Sequence, residues 1–423
     1  MSCNKRGLMA ALFVMWSMGS CLASPFFGQH VFYLPTYAQL DGKAFDGIRI
    51  WGNAGTTWRD LEPVPGDYDF SQMDGYVNAA VSRGMDVVYT LGQTPVWASS
   101  RPAESGNMGL GAAAEPRDMN DWSDYVRTVA KRYRGKISAY EVMNEPRVPE
   151  AIRLYSPGFF SGSTASLIEM TRRTREALNA MAPGTRVVCP AMDGGEQGVK
   201  RLQYFLSHGG GQFCDVIGFH FYLRTQSVSE FQRLLSQVRQ VMSQNGQAGK
   251  PLWDTEIGMV VAQSGYHVIA PEHAGPLGVV YSEQDAARRM AKLMLAAMAG
   301  GVARTYWFAH DSSSMGSTLP DKRLGSLNAL GMGYQQLRAW LAGGSLGACA
   351  VGEDQGDCHV QHPDRSTDRI VWGQVLTRDV LLQNHVRKIS FLNGSRLRVG
   401  PLLDDQALAT MSHQFQDPIL LSY

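Results

Sequence analysis

From residue 26 to about 335, short apolar runs alternate with stretches whose apolar residues recur every three or four positions. That alternation is the signature of strands of a parallel sheet joined by crossover helices. The runs predict strands at Phe26–Phe32, Gly47–Trp51, Asp86–Leu91, Ser138–Met143, Arg186–Cys189, Val216–Phe221, Pro251–Thr255 and Val302–Phe308. Between them, Trp122, Tyr125, Val126, Val129 and Tyr133 form one helical stripe, closed by Gly135. Ser227 with Glu230 reads as a capping box ahead of Phe231, Leu234, Leu235, Val238, Val241 and Met242, and Ser282 with Asp285 opens another helix. Eight strand–helix units predict a (β/α)8 TIM barrel over residues 24–342, with a doubly wound sheet as the alternative. Two connections, Gln93 to Asn120 and Ile257 to Tyr281, are long for such a fold and follow strand C-termini. They are expected to wall a cleft suited to an extended substrate. After Trp340 the helical period stops, and short runs such as Arg369–Trp372, Val380–Leu382 and Ile419–Leu421 alternate with turn residues. These predict a small all-β, sandwich-like domain over 343–423, with the boundary at Gly343–Gly344.

Composition narrows the function classes. The 423 residues carry 39 Lys plus Arg against 38 Asp plus Glu, a net charge of +1, with no long basic run. Nucleic acid is therefore not an expected partner, because its binding needs a concentrated positive footprint. Charged residues at 18% and apolar residues at 44% exclude a disordered chain. The N-terminus has the form of an export signal over residues 1–23: Lys5 and Arg6, an apolar stretch from Gly7 to Trp16, then small residues through Ser20 and Ala23. Met18-Gly19-Ser20-Cys21 resembles a lipobox, whereas Cys21-Leu22-Ala23 has the form of ordinary cleavage, so both routes stay open. The expected location is periplasmic or extracellular, with membrane contact only through a lipid anchor at Cys21, and the expected state is a monomer. Cys189, Cys214, Cys349 and Cys358 then remain in an oxidising compartment. The favoured pairs are Cys349 with Cys358 and Cys189 with Cys214, with four free thiols as the alternative.

The stretch Ala139-Tyr140-Glu141-Val142-Met143-Asn144-Glu145-Pro146 carries the most chemistry: an apolar strand ends in an amide, a carboxylate and a proline that stops it. Glu256 ends the strand Pro251–Thr255 and is followed by Ile257 and Gly258. In a closed barrel the ends of the fourth and seventh strands converge on one mouth, although 111 residues separate Glu145 from Glu256. Paired carboxylates there can cleave glycosidic bonds, one attacking the anomeric carbon while the other protonates the leaving oxygen. Two surface glutamates in ordinary salt bridges are the alternative.

These residues resemble the clan of (β/α)8 glycoside hydrolases with catalytic glutamates on strands four and seven. Within it the chain is most similar to glycoside hydrolase family 39, in particular the bacterial enzymes associated with exopolysaccharide biosynthesis. Gly47–Trp51, Trp58–Pro63, Thr90–Ala98, Tyr140–Pro146, Gly218–Tyr222 and Trp253–Gly258 carry the likeness. The resemblance implies Glu145 as acid/base and Glu256 as nucleophile of a retaining mechanism, with Asn144 bonding the sugar 2-hydroxyl. It further implies that Arg49 holds Glu256 ionised, that His220 and Tyr222 position the nucleophile, and that Trp307 floors the site. Period two along the strand sets Glu141 beside Met143 and Glu145, so neutralising Glu141 is a second role open to Arg49. Trp51, Trp58 and Trp97 are candidates either for stacking on sugar rings or for packing. The segment between the first two strands is short, and Val96 and Met143 stand where the resemblance makes an aromatic or another large residue unsurprising, which leaves the subsite shape open.

The expected function is thus a retaining glycoside hydrolase cutting within a bacterial exopolysaccharide, with a polysaccharide or oligosaccharide partner, no cofactor and no metal. A transglycosylase with the same two glutamates and a non-catalytic polysaccharide-binding lipoprotein are the alternatives. Rival signals are thin. Gly343-Gly344-Ser345-Leu346-Gly347 has nucleophile-elbow spelling but follows a helix. Cys358, His359 and His362 lack a second ligand pair at zinc spacing.

Overall fold

The computed structural model describes residues 26–37, 44–148, 150–151, 158–262, 279–312, 315, 318, 327–401, 403, 406, 408 and 416–423. The expected export signal at 1–23, with Cys21, and most of the second long connection, 263–278, lie outside them.

All eight expected barrel strands form: β1 Phe27–His30, β2 Gly47–Ile50, β3 Asp86–Leu91, β4 Ala139–Val142, β5 Arg186–Val188, β6 Ile217–His220, β7 Leu252–Ile257 and β8 Val302–Trp307. They pair in parallel in the order β5-β4-β3-β2-β1-β8-β7-β6. Bridges Val188↔Val216 and Met192↔Phe219 join β5 to β6 and bring the sheet round to a barrel rather than the open doubly wound alternative. Val88, Ala139, Val188, Val216, Trp253 and Tyr306 fill its interior as one apolar layer. Gly28 makes that layer possible, because a Cβ there would lie 2.3 Å from the Tyr306 ring.

Helices α1 Ser71–Ser82, α2 Met119–Arg132, α3 Thr164–Met181, α4 Glu196–Ser207, α5 Val228–Gln244, α6 Glu283–Ala299 and α7 Ala329–Leu341 follow strands two to eight. The capping residues read from the sequence start α5 and α6: Ser227 accepts from the Glu230 N–H at 3.2 Å, and Ser282 from the Asp285 N–H at 3.1 Å. The α2 stripe of Trp122, Tyr125, Val126 and Val129 is buried as its period requires.

Strands β9 Ser345–Val351, β10 Gly356–Gln361, β11 Thr367–Trp372, β12 Lys388–Phe391, β13 Arg396–Arg398 and β14 Ile419–Ser422 form one antiparallel sheet. Among the described residues no second sheet faces it. Cys358, Val360, Ile370, Trp372 and Leu420 on one side join the barrel's own core, so a barrel helix supplies the layer that a sandwich would take from a second sheet. The opposite side packs on Leu376, Leu381, Val386 and Leu408. The expected strand at Val380–Leu382 is instead helix α8, Arg378–Gln383. Thr377 caps it by accepting from the Val380 N–H at 3.3 Å, a local signal that outweighs the short apolar run. Both favoured disulfides are present, Cys189–Cys214 and Cys349–Cys358.

Candidate active site

Arg49, on β2, is the hub of the barrel mouth. Its side chain is wholly buried, and such a cation must be paired. Its Nη2 and Nε donate to Glu141 Oε2 at 2.6 and 2.9 Å, its Nη1 to Glu256 Oε2 at 2.6 Å, and Nη2 also to Asn144 Oδ1 at 2.7 Å. Arg49 therefore contacts both of the carboxylates that the sequence left open as its partner. Thr90, from β3, donates to the same Glu141 oxygen at 2.7 Å.

Glu145 stands just past β4 on a backbone that has left the strand. Met143 and Glu145 have φ of 57° and 43°, a region costly for residues with a Cβ. Neighbours hold this turn: the Met143 N–H donates to Leu91 O at 3.0 Å, the Glu145 N–H to Ala191 O at 3.1 Å, and Arg201 Nη1 to Pro146 O at 2.7 Å. Period two thus breaks at Met143, and Glu145 does not share a strand face with Glu141.

Glu256 lies inside β7, which runs two residues further than Thr255. Pairing passes from Phe219↔Asp254 to His220↔Glu256 on one side and from Thr305↔Asp254 to Trp307↔Ile257 on the other. Thr255 is thus an extra residue, a bulge that re-aims the side chain after it. Glu256 Oε1 accepts from the Tyr222 hydroxyl at 2.8 Å, as expected of a residue positioning it. His220 differs from expectation: its Nδ1 is bonded to Glu145 Oε1 at 2.9 Å, so it orients the other glutamate.

Glu145, His220 and Glu256 offer oxygen and nitrogen atoms that all lie within 4.8 Å of one another. Both Glu256 oxygens already accept from Arg49 and Tyr222, and a metal there would face the guanidinium. The arrangement suits proton and glycosyl chemistry rather than ligation.

Burial pushes the Glu145 carboxyl up to about 8, with Asp193 adding to the rise and Arg147, Arg49 and Arg201 opposing it. Glu256 is also raised. Burial outweighs the pull of His220 and Arg49, so the net effect of Arg49 is smaller than the sequence suggested. Within the pair, Glu256 is better stabilised as an anion, because a guanidinium and a hydroxyl donate to it. Burial also pushes His220 below its ordinary range. Glu141 is raised by burial but brought below the ordinary range by Arg49, His220, Thr255 and Thr90.

The aromatic candidates divide. Trp58 is buried, stacked on Tyr125 at 4.9 Å, with Nε1 bonded to Glu62 Oε2 at 2.7 Å: it is packing. Trp51 is nearly buried, edge-on to Phe159 at 5.3 Å. Trp307 ends β8 with no exposed surface, so its ring offers no open floor here. Of these four, Trp97 alone is partly exposed, with Nε1 on Glu62 O at 2.9 Å. Away from the mouth, Ser345 starts a sheet strand, Cys358 is in a disulfide, and His362 pairs with Asp368 at 3.3 Å. Sequence reasoning missed Asp193 and Arg201. The signal for the latter was a cation on the buried stripe Gly198, Arg201, Leu202, Phe205, Leu206 of α4.

Residues 19–167 match the family model of glycosyl hydrolase family 10, and residues 163–334 that of the glycosyl hydrolase catalytic core. An endo-1,4-beta-xylanase of Agaricus bisporus is 29% identical over 145 residues, which are 34% of this chain and 41% of that protein. The chain thus matches about two fifths of that relative's length. A family 39 glycoside hydrolase from Bacteroides cellulosilyticus WH2 superposes with a TM-score of 0.62 at 12% identity, over 93% of this chain and 80% of that one. A GH39 beta-xylosidase from Caulobacter crescentus gives 0.58 at 15% identity, over 95% and 94%. The fold is that of the (β/α)8 glycoside hydrolases.

Proposed function

We propose, from the match to glycosyl hydrolase families over residues 19–334 and the paired glutamates in a (β/α)8 mouth, that this chain is a retaining O-glycoside hydrolase. The observation that carries the reading is the spacing. One carboxylate oxygen of Glu145 and one of Glu256 come no further than 4.8 Å apart, a close approach of the kind that the roughly 5 to 5.5 Å separation of carboxyl groups in retaining enzymes requires. Inverting enzymes keep about 6.5 to 9.5 Å to admit a water between them.

In the first step Glu256 attacks the anomeric carbon while Glu145 gives its proton to the leaving oxygen; the C–O glycosidic bond breaks and a glycosyl ester on Glu256 forms. In the second, Glu145 takes a proton from water, whose oxygen attacks the same carbon and releases Glu256, with net retention. Asn144, anchored through Oδ1 on Arg49, keeps its amide N–H groups to donate to the sugar 2-hydroxyl.

The substrate we infer is a polysaccharide outside the cytoplasm, cut internally. A bacterial exopolysaccharide fits the export-type N-terminus, and xylan is the second candidate because the sequence relatives are xylanases. Release of reducing ends from each polymer, by the wild type and by Glu256→Gln, tests the reading. Cleavage by the wild type and a loss of about 10⁴-fold or more in the variant are expected. Full activity in Glu256→Gln refutes the nucleophile assignment, and binding of a polymer without cleavage moves the chain to the polysaccharide-binding class.

A further inference from the structure

We propose that Asp193, clamped between Arg147 and Arg201, is a positioning residue that keeps the proton on Glu145. The inference rests on Glu145 being the acid of the proposed pair, and concerns a side chain that touches neither the nucleophile nor the sugar-facing amide.

The geometry is a closed loop of interactions around one turn. Arg201 rises from α4 with its side chain 2% exposed, and joins Pro146 O to Asp193 Oδ1, both at 2.7 Å. Arg147 Nη2 reaches the other Asp193 oxygen at 3.3 Å. Two residues before Asp193, Ala191 O accepts the Glu145 N–H, and Met192 O accepts that of His220 at 2.9 Å. The segment 191–193 therefore touches the acid's backbone, its histidine partner and both cations that flank it. The clamp holds Glu145 in its positive-φ turn and matches one anion to two cations beside it.

The charge balance follows. Glu145 is faced by Arg147 on its own turn, Arg201 on α4, Arg49 on β2, His220 and Tyr222 on β6 and at its end, Glu256 on β7, and Asp193 after β5. Three of these are cations that favour its ionised form. Arg49 is saturated by Glu141 and Glu256, whereas Arg147 and Arg201 have Asp193 as their carboxylate. Without that charge, two arginines bear on the acid uncompensated, and they favour the loss of its proton.

The test reads Glu145 without a substrate. The stability difference between the parent chain and its Glu145→Gln derivative, followed by urea denaturation from pH 4 to 9, levels off at the pH where folded Glu145 ionises. In the Asp193→Asn background that pH is expected to fall by about one unit or more. In Arg147→Gln, where a cation is lost instead, it is expected to rise, and Asp193→Glu restores the parent value. A uniform loss of stability with an unmoved plateau, or shifts of the opposite sign, overturns the proposal. Because Arg147→Gln alters a partly exposed side chain, it gives an answer even if Asp193→Asn does not fold. Failure here, with the polymer still cleaved, would remove the clamp and leave the two-glutamate reading standing.

Discussion

Replacing Glu145 by glutamine should make the protein more stable, and by an amount that depends on pH. Folded Glu145 holds its proton to about pH 8, whereas in the unfolded chain it ionises at the ordinary 4.5. Below 4.5 both states are protonated, and the carboxyl contributes its full stability. As pH rises to 8 the unfolded chain sheds the proton first, so that contribution is lost progressively at 1.36 kcal/mol per pH unit. The gap of 8 − 4.5 corresponds to about 5 kcal/mol at pH 8 and about 3 kcal/mol at pH 7. Glutamine keeps the shape and a hydrogen-bonding partner for His220 Nδ1 but has no proton to lose. The side chain is only 12% exposed, so little solvent screening reduces the figure. Urea denaturation of both proteins at pH 4.5, 6 and 7.5 measures it. A gain that grows with pH supports a proton stored on Glu145; a difference independent of pH refutes it, because the carboxyl would then titrate alike in both states.

Activity on the cleaved polymer should follow a bell in pH, its alkaline limb near 8 where Glu145 ionises and its acid limb above the usual glutamate range because burial raises Glu256; a flat profile from pH 5 to 9 would oppose both assignments. Glu145→Ala should cost about 10² to 10⁴-fold on the polymer but far less on an aryl glycoside with a good leaving group, which kcat values on the two substrates compare. Arg49→Met strands Glu141 and Glu256 in the barrel without their cation and should cost about 3 to 5 kcal/mol in denaturation, a loss of under 1 kcal/mol indicating that the ion network is dispensable. Removing the Cys189–Cys214 bridge, which closes a separation of 25 residues, should cost about 3.5 kcal/mol by chain entropy, read as the urea midpoint of the double serine variant.

Much of this architecture could be read from the amino-acid sequence, for reasons that are local. Eight apolar runs at barrel spacing marked the strands because a sheet covered on both faces must be apolar throughout, and serines at 227 and 282 marked helix starts because an orphan N–H needs a nearby acceptor. Glu145 and Glu256 stood out as candidates because one lies just past the C-terminal end of its strand and the other within the last two residues of its own, where a barrel gathers its polar groups. What escaped was set by relations between strands. The bulge at Thr255 exists only in the register of β7 against β6 and β8. Which glutamate His220 serves depends on where that bulge leaves Glu256, and the Asp193–Arg201 clamp joins a loop to a helix through a carbonyl of a third segment. Val380–Leu382 misled because a three-residue β-branched and leucine run cannot compete with a threonine cap. The C-terminal sheet lost its sandwich partner for a similar reason: its inner face answers to α6, which lies outside the domain's own sequence.

A retaining pair of Glu145 and Glu256 would fix the configuration of the first sugar released. Proton NMR of the first sugar released from the cleaved polymer, recorded before mutarotation, tests it most directly. The anomeric configuration of the substrate is expected to be retained, with no sugar released by Glu256→Gln, whereas an inverted first product rules out the retaining pair.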